Sequence, residues 1–233
     1  MEDSKWEKFA ALGGVAFVVL NVVGAAGTGA PPDPGKPDKV AKWFNDHAGA
    51  IKLSQFLGVL SVIALLWWFG SLWRKMAIAE GGRHRLSIVA GLGLVFSGTM
   101  FMAANATLSA TALRVDDVGN GATIFYTLSN VLLASAGAGI VTFLAAVSVL
   151  ALRANMLPSW MSYLGMLSAA LFLVASIGSA NDSTAFTLFG FLGFITWCLW
   201  TLSVSFELWK HPASAGASAT GAANTTATAS ATA

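Results

Sequence analysis

Six long apolar segments occupy most of this chain of 233 residues, and each is long enough to cross a membrane as a helix. Only 10% of the residues are charged, whereas a soluble domain has about 25%. Backbone amides in hydrocarbon must be paired within the protein, and runs this long do not alternate as barrel strands do. The sequence therefore predicts an all-α polytopic membrane protein, a six-transmembrane-helix bundle, with spans at about 9–27, 53–73, 86–109, 123–152, 158–177 and 185–208.

The two ends of the chain differ in composition from its middle. Lys5 and Lys8 precede the first apolar segment, as in a signal peptide, but neighbouring acidic residues make this leader net negative. We therefore expect a retained helix and a transmembrane domain over residues 1–210. From residue 211 to 233 the chain is almost entirely Ala, Ser, Thr, Gly and Asn, which predicts a disordered cytoplasmic tail.

Lysine and arginine mark the cytoplasmic side of short connections between spans. Eight of the 13 basic residues lie before the first span or after the second, fourth and sixth: Lys5, Lys8, Arg74, Lys75, Arg83, Arg85, Arg153 and Lys210. The other five lie in loops on the opposite side: Lys36, Lys39, Lys42, Lys52 and Arg114. This asymmetry predicts that both termini are cytoplasmic.

The first outer loop contains a proline-rich stretch followed by a helical pattern. Prolines over residues 31–37 exclude a helix there, and Asp38 is a suitable N-cap. Apolar side chains then recur at helical spacing: Val40, Trp43, Phe44 and Ile51. The pattern predicts a short amphipathic helix in the membrane interface that bends into the second span near Gly49.

Short connections and small residues indicate how the helices pack. Residues 153–157 are too few for anything but an antiparallel hairpin between the fourth and fifth spans. Small residues let helices approach closely in lipid. The contact faces we expect therefore contain the glycines at positions 91, 93 and 98 of the third span, 137 and 139 of the fourth, and 190 and 193 of the sixth.

Several kinds of chemistry lack the residues they need within the spans. A haem bundle needs axial ligands, usually histidine, and the three histidines lie in loops or at helix ends. Ion-coupled transport uses buried ionisable groups, and the only one in a span is Glu207, near a helix end. We interpret Cys198 as a buried apolar residue, and no basic stripe suggests nucleic acid. We predict no catalytic residue, metal or cofactor.

Neutral polar groups inside the spans are the candidates for ligand binding. Asn21, Asn105 and Asn130 are costly to bury without a partner. Such groups usually bond to the preceding turn or to another helix. The sharper hypothesis is that these three asparagines line a pocket for a neutral amphiphile.

Acidic residues and one histidine are predicted to face the outer side together. They are Asp46, His47, Asp116, Asp117 and Asp182, joined in the same loops by Asp38 and Asn181. Carboxylates with a histidine could bind a divalent cation or supply acid–base groups to a membrane hydrolase. No metal-binding motif spacing is present, and Asp116-Asp117 before Gly119-Asn120-Gly121 is more simply a turn.

The connection between the fourth and fifth spans carries a family resemblance. The stretch from Asn155 to Gly165, with Leu157-Pro158-Ser159-Trp160, resembles a hairpin of uncharacterised six-span bacterial, actinobacterial-type integral membrane proteins. That resemblance implies a bacterial plasma (inner) membrane, and it brings no activity or catalytic residue. Pro158 is then a helix start and Trp160 an interfacial anchor.

Three hypotheses about function follow, in this order. The first is non-enzymatic binding of a lipid-like ligand or a membrane-protein partner within the lipid bilayer. The second is a passive pore or carrier for a neutral solute, which needs a polar path joining Asn21, Asn105 and Asn130. The third is a membrane-embedded enzyme, which needs Asp46, His47 and Asp116 or Asp117 to converge.

Overall fold

A computed structural model describes residues 2–30, 32–177 and 184–211 of the chain. Six of its helices are long and apolar enough to cross a membrane, which confirms that part of the prediction. Within the described ranges there is no β-strand. Asn181, Asp182 and the predicted tail from residue 212 onward lie outside the described residues. The elements are α1 (Glu2–Gly27), α2 (Pro37–Ala79), α3 (Arg85–Leu113), α4 (Val115–Val118), a 3₁₀ turn (Gly119–Gly121), α5 (Ala122–Ala154), α6 (Ser159–Ile177) and α7 (Thr184–Lys210).

The six long helices form a closed ring, since each packs on the next and α7 returns to α1. Three aromatic side chains fill the centre: Trp68 of α2, Phe143 of α5 and Trp200 of α7, all 0% exposed. Their ring centroids lie 5.7–6.5 Å apart in edge-to-face arrangements, a geometry that aromatic pairs favour. Large apolar side chains also cover the outside of the bundle on all six long helices.

Helices α3 and α5 make the closest contact in the bundle. A Cβ atom on Gly93 would lie 2.8 Å from the backbone oxygen of Gly139 and 2.9 Å from the backbone nitrogen of Phe143. Two glycines therefore face each other where the helices meet, as small residues do in membrane bundles. The predicted contact faces of the third and fourth spans include this pair.

The start of α2 differs from the separate short helix that the sequence predicts. Residues 37–79 form one uninterrupted helix, so the segment after the prolines continues directly into the helix of the second predicted span. Its apolar side chains, Val40, Phe44 and Ile51, are buried against protein rather than turned outward. The reason is that α3 and α5 also extend at this end and supply the covering surface. We call this group the cap cluster; its buried members are Val40, Phe44, Ile51, Ala112, Val115, Ala122 and Tyr126.

The proline-rich loop is fastened onto the cap cluster by two side-chain hydrogen bonds. The indole N–H of Trp43 donates to the backbone oxygen of Thr28 at 3.1 Å. The hydroxyl of Tyr126 donates to the backbone oxygen of Pro32 at 3.3 Å. The loop therefore lies against the helix ends.

The two connections at the opposite end use residues suited to tight turns. Asn155, with φ of 49°, ends α5, and α6 begins after Pro158, so the predicted hairpin forms. Between α2 and α3, the carboxylate of Glu80 accepts the backbone N–H groups of Leu86 (2.7 Å) and Ser87 (3.0 Å) and the Ser87 hydroxyl. Burial raises the pKa of Glu80, but these hydrogen bonds outweigh it and hold that pKa below its ordinary value.

Candidate functional site

An open groove lies between α1 and α2, near the end of α2 that carries Arg74. Its volume is about 390 Å³. Apolar and charged side chains both line it: Glu7, Ala10, Leu66, Trp67, Gly70, Ser71 and Arg74. On α2 these residues recur three and four apart, so one face of that helix forms the groove wall.

One end of the groove is an ion pair between the two helices. Nη1 of Arg74 lies 2.8 Å from Oε1 of Glu7. The Glu7 side chain is only 8% exposed, whereas that of Arg74 is 46% exposed. A carboxylate this buried requires a cationic partner, because desolvation without one is costly. Glu7 therefore fixes the guanidinium at the groove mouth.

The other end of the groove is apolar and leaves open space. Leu66 and Trp67 are 45% and 55% exposed, and a Cβ atom on Gly70 would meet no heavy atom within 4 Å. From Leu66 to Arg74 the helix rises about 12 Å. The groove is thus amphipathic along its length, with a cation at one end and exposed aromatic and aliphatic surface at the other.

A second ion pair joins α2 to α7 beside the groove. Nζ of Lys75 lies 3.9 Å from Oε1 of Glu207, and their side chains are 16% and 19% exposed. The sequence places Glu207 near a helix end, and the structure gives it a cationic neighbour on another helix. The consecutive residues Arg74 and Lys75 therefore tie α2 to α1 on one side and to α7 on the other.

Two of the three asparagines have a partner on their own helix. Nδ2 of Asn21 donates to the backbone oxygen of Phe17, and Nδ2 of Asn105 to that of Phe101, both at 2.9 Å. Asn130 is exposed on α5, one helical turn after Tyr126. Among the described residues no hydrogen bond joins one asparagine to another. Their role in ligand binding stays a prediction.

The outer acidic residues are paired locally. Asp46 accepts Nζ of Lys42 at 2.7 Å, and Nδ1 of His47 donates to the backbone oxygen of Trp43 at 3.0 Å. Asp117 lies 3.4 Å from the Arg114 guanidinium, Asp116 is exposed, and Asp182 is outside the described residues. Over the part of the chain that the structure describes, no three metal-ligating side chains come close enough to hold an ion.

A set of buried polar atoms lies in the centre of the bundle. The described residues supply no hydrogen-bond partner for the indole nitrogens of Trp68 and Trp200 or for three hydroxyls, those of Ser148, Ser162 and Thr201. Buried polar groups are normally paired, so these atoms are exceptions in a centre that Trp68, Phe143 and Trp200 otherwise fill.

No protein-family model, no curated protein and no solved structure matches the chain. Of the polar features described, the groove has open volume, a fixed cation and exposed apolar surface together. Sequence reasoning missed it because Glu7 was interpreted as a leader charge and Arg74 as a topology marker. The sequence did hold one signal, since Glu7 and Arg74 lie at the neighbouring ends of the first and second predicted spans.

Proposed function

We propose that this chain is a multi-pass membrane protein that binds a lipid-like amphiphile without catalysing a reaction. The groove between α1 and α2 is the observation that carries the proposal. A ligand with one charged end and one apolar part is complementary to the groove, since Arg74 lies at one end of it and Trp67 at the other. The ring of apolar side chains around the bundle supports a location in the bilayer, with the ligand entering sideways from lipid.

The glycine at the groove wall provides a direct test. Gly70→Leu extends a side chain into the open space, since a Cβ atom there meets no heavy atom within 4 Å, and replacing a helical glycine does not weaken the helix. Gly49→Leu is the matched control, because Gly49 lies on the same helix and also has open space around it. We expect native mass spectrometry of gently extracted protein to show bound lipid with wild type and Gly49→Leu, and much less with Gly70→Leu. Equal retention by all three would refute the proposal, and a retained protein subunit would instead favour a membrane partner.

A passive pathway for a neutral solute is the second candidate. The unpaired central groups, such as the Ser148 hydroxyl and the Trp200 indole, favour it. Against it, Trp68, Phe143 and Trp200 fill the same centre and are fully buried. We expect proteoliposomes to take up glycerol or urea no faster than empty vesicles, and faster uptake by wild-type protein would favour the pore.

We further propose that the protein lies in a bacterial plasma membrane with both termini in the cytoplasm. The excess of lysine and arginine at the Arg74 end supports this orientation. A cysteine at Arg83 should then resist an impermeant thiol reagent in intact cells, while one at Lys36 should react. Labelling of the cysteine at position 83 from outside would contradict the proposed orientation.

A further inference from the structure

We infer that the groove binds a phospholipid, with the phosphodiester at Arg74 and an acyl chain along Gly70 toward Leu66 and Trp67. The inference rests on the proposed function and names the class of amphiphile. It places the lipid in the leaflet next to the Arg74 end of the bundle.

The guanidinium of Arg74 has donors to spare. Arginine presents five N–H groups in a planar fork that suits phosphate oxygens. Among the described residues, Glu7 is the one ion-pair partner of Arg74, and it is contacted through Nη1. Because Glu7 is nearly buried, contacts one terminal nitrogen, and leaves Arg74 about half exposed, the guanidinium keeps further N–H groups for a ligand in the groove. The Ser71 hydroxyl, three residues earlier on the same face, is a further donor.

The charge of the ligand headgroup also favours a phosphodiester. At Arg74 the negative charge of Glu7 opposes ionisation of a weak acid, whereas the guanidinium favours it. A phosphodiester is a much stronger acid than a carboxyl group and keeps its charge whichever of the two effects is larger. The arrangement therefore suits a headgroup that stays anionic beside Glu7.

The apolar end of the groove requires a chain rather than a free ion. Gly70 leaves a gap, and the exposed surfaces of Leu66 and Trp67 continue it for about 6 Å along α2. Covering this surface contributes affinity in proportion to the area removed from solvent. Inorganic phosphate would reach Arg74 and leave that surface bare, so it should compete poorly.

The test uses the whole protein in detergent and three soluble probes. They are dioctanoyl phosphatidylcholine, dioctanoylglycerol, which has the same chains without phosphate, and inorganic phosphate. Arg74→Gln removes the guanidinium, and Arg153→Gln is the control because Arg153 is an exposed arginine at the end of α5, outside the groove. Since Arg74→Gln leaves Glu7 without its cation, the double variant with Glu7→Gln guards against a loss that merely reflects misfolding.

We expect Arg74→Gln, alone and with Glu7→Gln, to weaken phosphatidylcholine binding about tenfold or more, as loss of a hydrogen bond between charged groups does. Dioctanoylglycerol should bind more weakly than phosphatidylcholine to wild type, and equally to wild type and both variants. Unchanged phosphatidylcholine affinity in the double variant, or displacement of the lipid by millimolar phosphate, would overturn the inference. If Gly70→Leu still abolishes lipid binding in that case, the proposed function stands and only the headgroup assignment fails.

Discussion

Replacing Gly139 by alanine tests how closely α3 and α5 are packed. A Cβ atom there would lie 2.7 Å from the backbone nitrogen of Ser97 and still closer to the backbone oxygen of Gly93. Ordinary carbon contacts begin at about 3.5 Å, so the helices would have to separate by roughly 1 Å to clear the nearer of these two atoms. The opposing atoms are backbone and cannot rotate away. We therefore take the upper end of overpacking costs, about 3 kcal/mol.

The helix itself gains from the same substitution. Alanine is better than glycine in a helix by about 1 kcal/mol, so Gly139→Ala should lower the free energy of unfolding by about 2 kcal/mol. Gly98→Ala is the control on α3, because its new Cβ would lie 3.7 Å from Cγ1 of Val62, an ordinary contact. We expect that control to be neutral or up to about 1 kcal/mol more stable. Unfolding in mixed micelles, followed by tryptophan fluorescence, gives both values, and equal stabilities of the two variants would refute the reasoning.

Three further predictions concern single side chains. The stabilisation that Glu80 provides is complete above the ordinary glutamate pKa of about 4.3, and it is lost as pH falls through the lowered pKa of Glu80 in the folded protein. Glu80→Gln should therefore flatten the acidic part of the curve of unfolding free energy against pH. It should also lower the free energy of unfolding at neutral pH by about 1 kcal/mol. Trp43→Phe removes the hydrogen bond to Thr28, which should cost about 1 kcal/mol of local stability. Proteolysis of the adjoining loop should then be about fivefold faster. An unchanged rate would mean that the bond does not hold the loop. Asn105→Leu removes a bond to Phe101 of the same helix, so we expect a loss under about 1 kcal/mol and unchanged lipid retention; lost retention in a folded variant would instead place the ligand at Asn105.

The long helices were predictable because the length of the apolar runs and the absence of charges within them decide that part of the fold. Runs of about 20 residues without charges leave few alternatives to a spanning helix, and the short link at Asn155 leaves few alternatives to a hairpin. The setting of Val40 and Phe44 was not predictable in the same way. Their helical spacing is identical whether the apolar face meets lipid or protein, and only the lengths of α3 and α5 decide between the two.

The groove was beyond the sequence for a different reason. Glu7 and Arg74 are far apart in the chain, and no local pattern marks two charges that meet across helices. The gap at Gly70 likewise depends on how the neighbouring helix packs, which the sequence does not show. Asn21, Asn105 and Asn130 are candidate ligand-binding residues in the sequence because burial of an amide is costly. For Asn21 and Asn105, a hydrogen bond to the preceding turn of the same helix offsets that cost.

The unbroken course of α2 has a mechanical consequence. This helix carries the groove wall around Gly70 and the cap cluster around Phe44 on one rod, separated by about 39 Å of helical rise. If α2 pivots near its groove end by roughly 5°, its other end sweeps about 3 Å by the geometry of that rise, a displacement comparable to the shifts of helices at switching interfaces. A molecule bound between α1 and α2 at the groove would thus move the far end of α2, which lies under the proline-rich loop at the other end of the bundle.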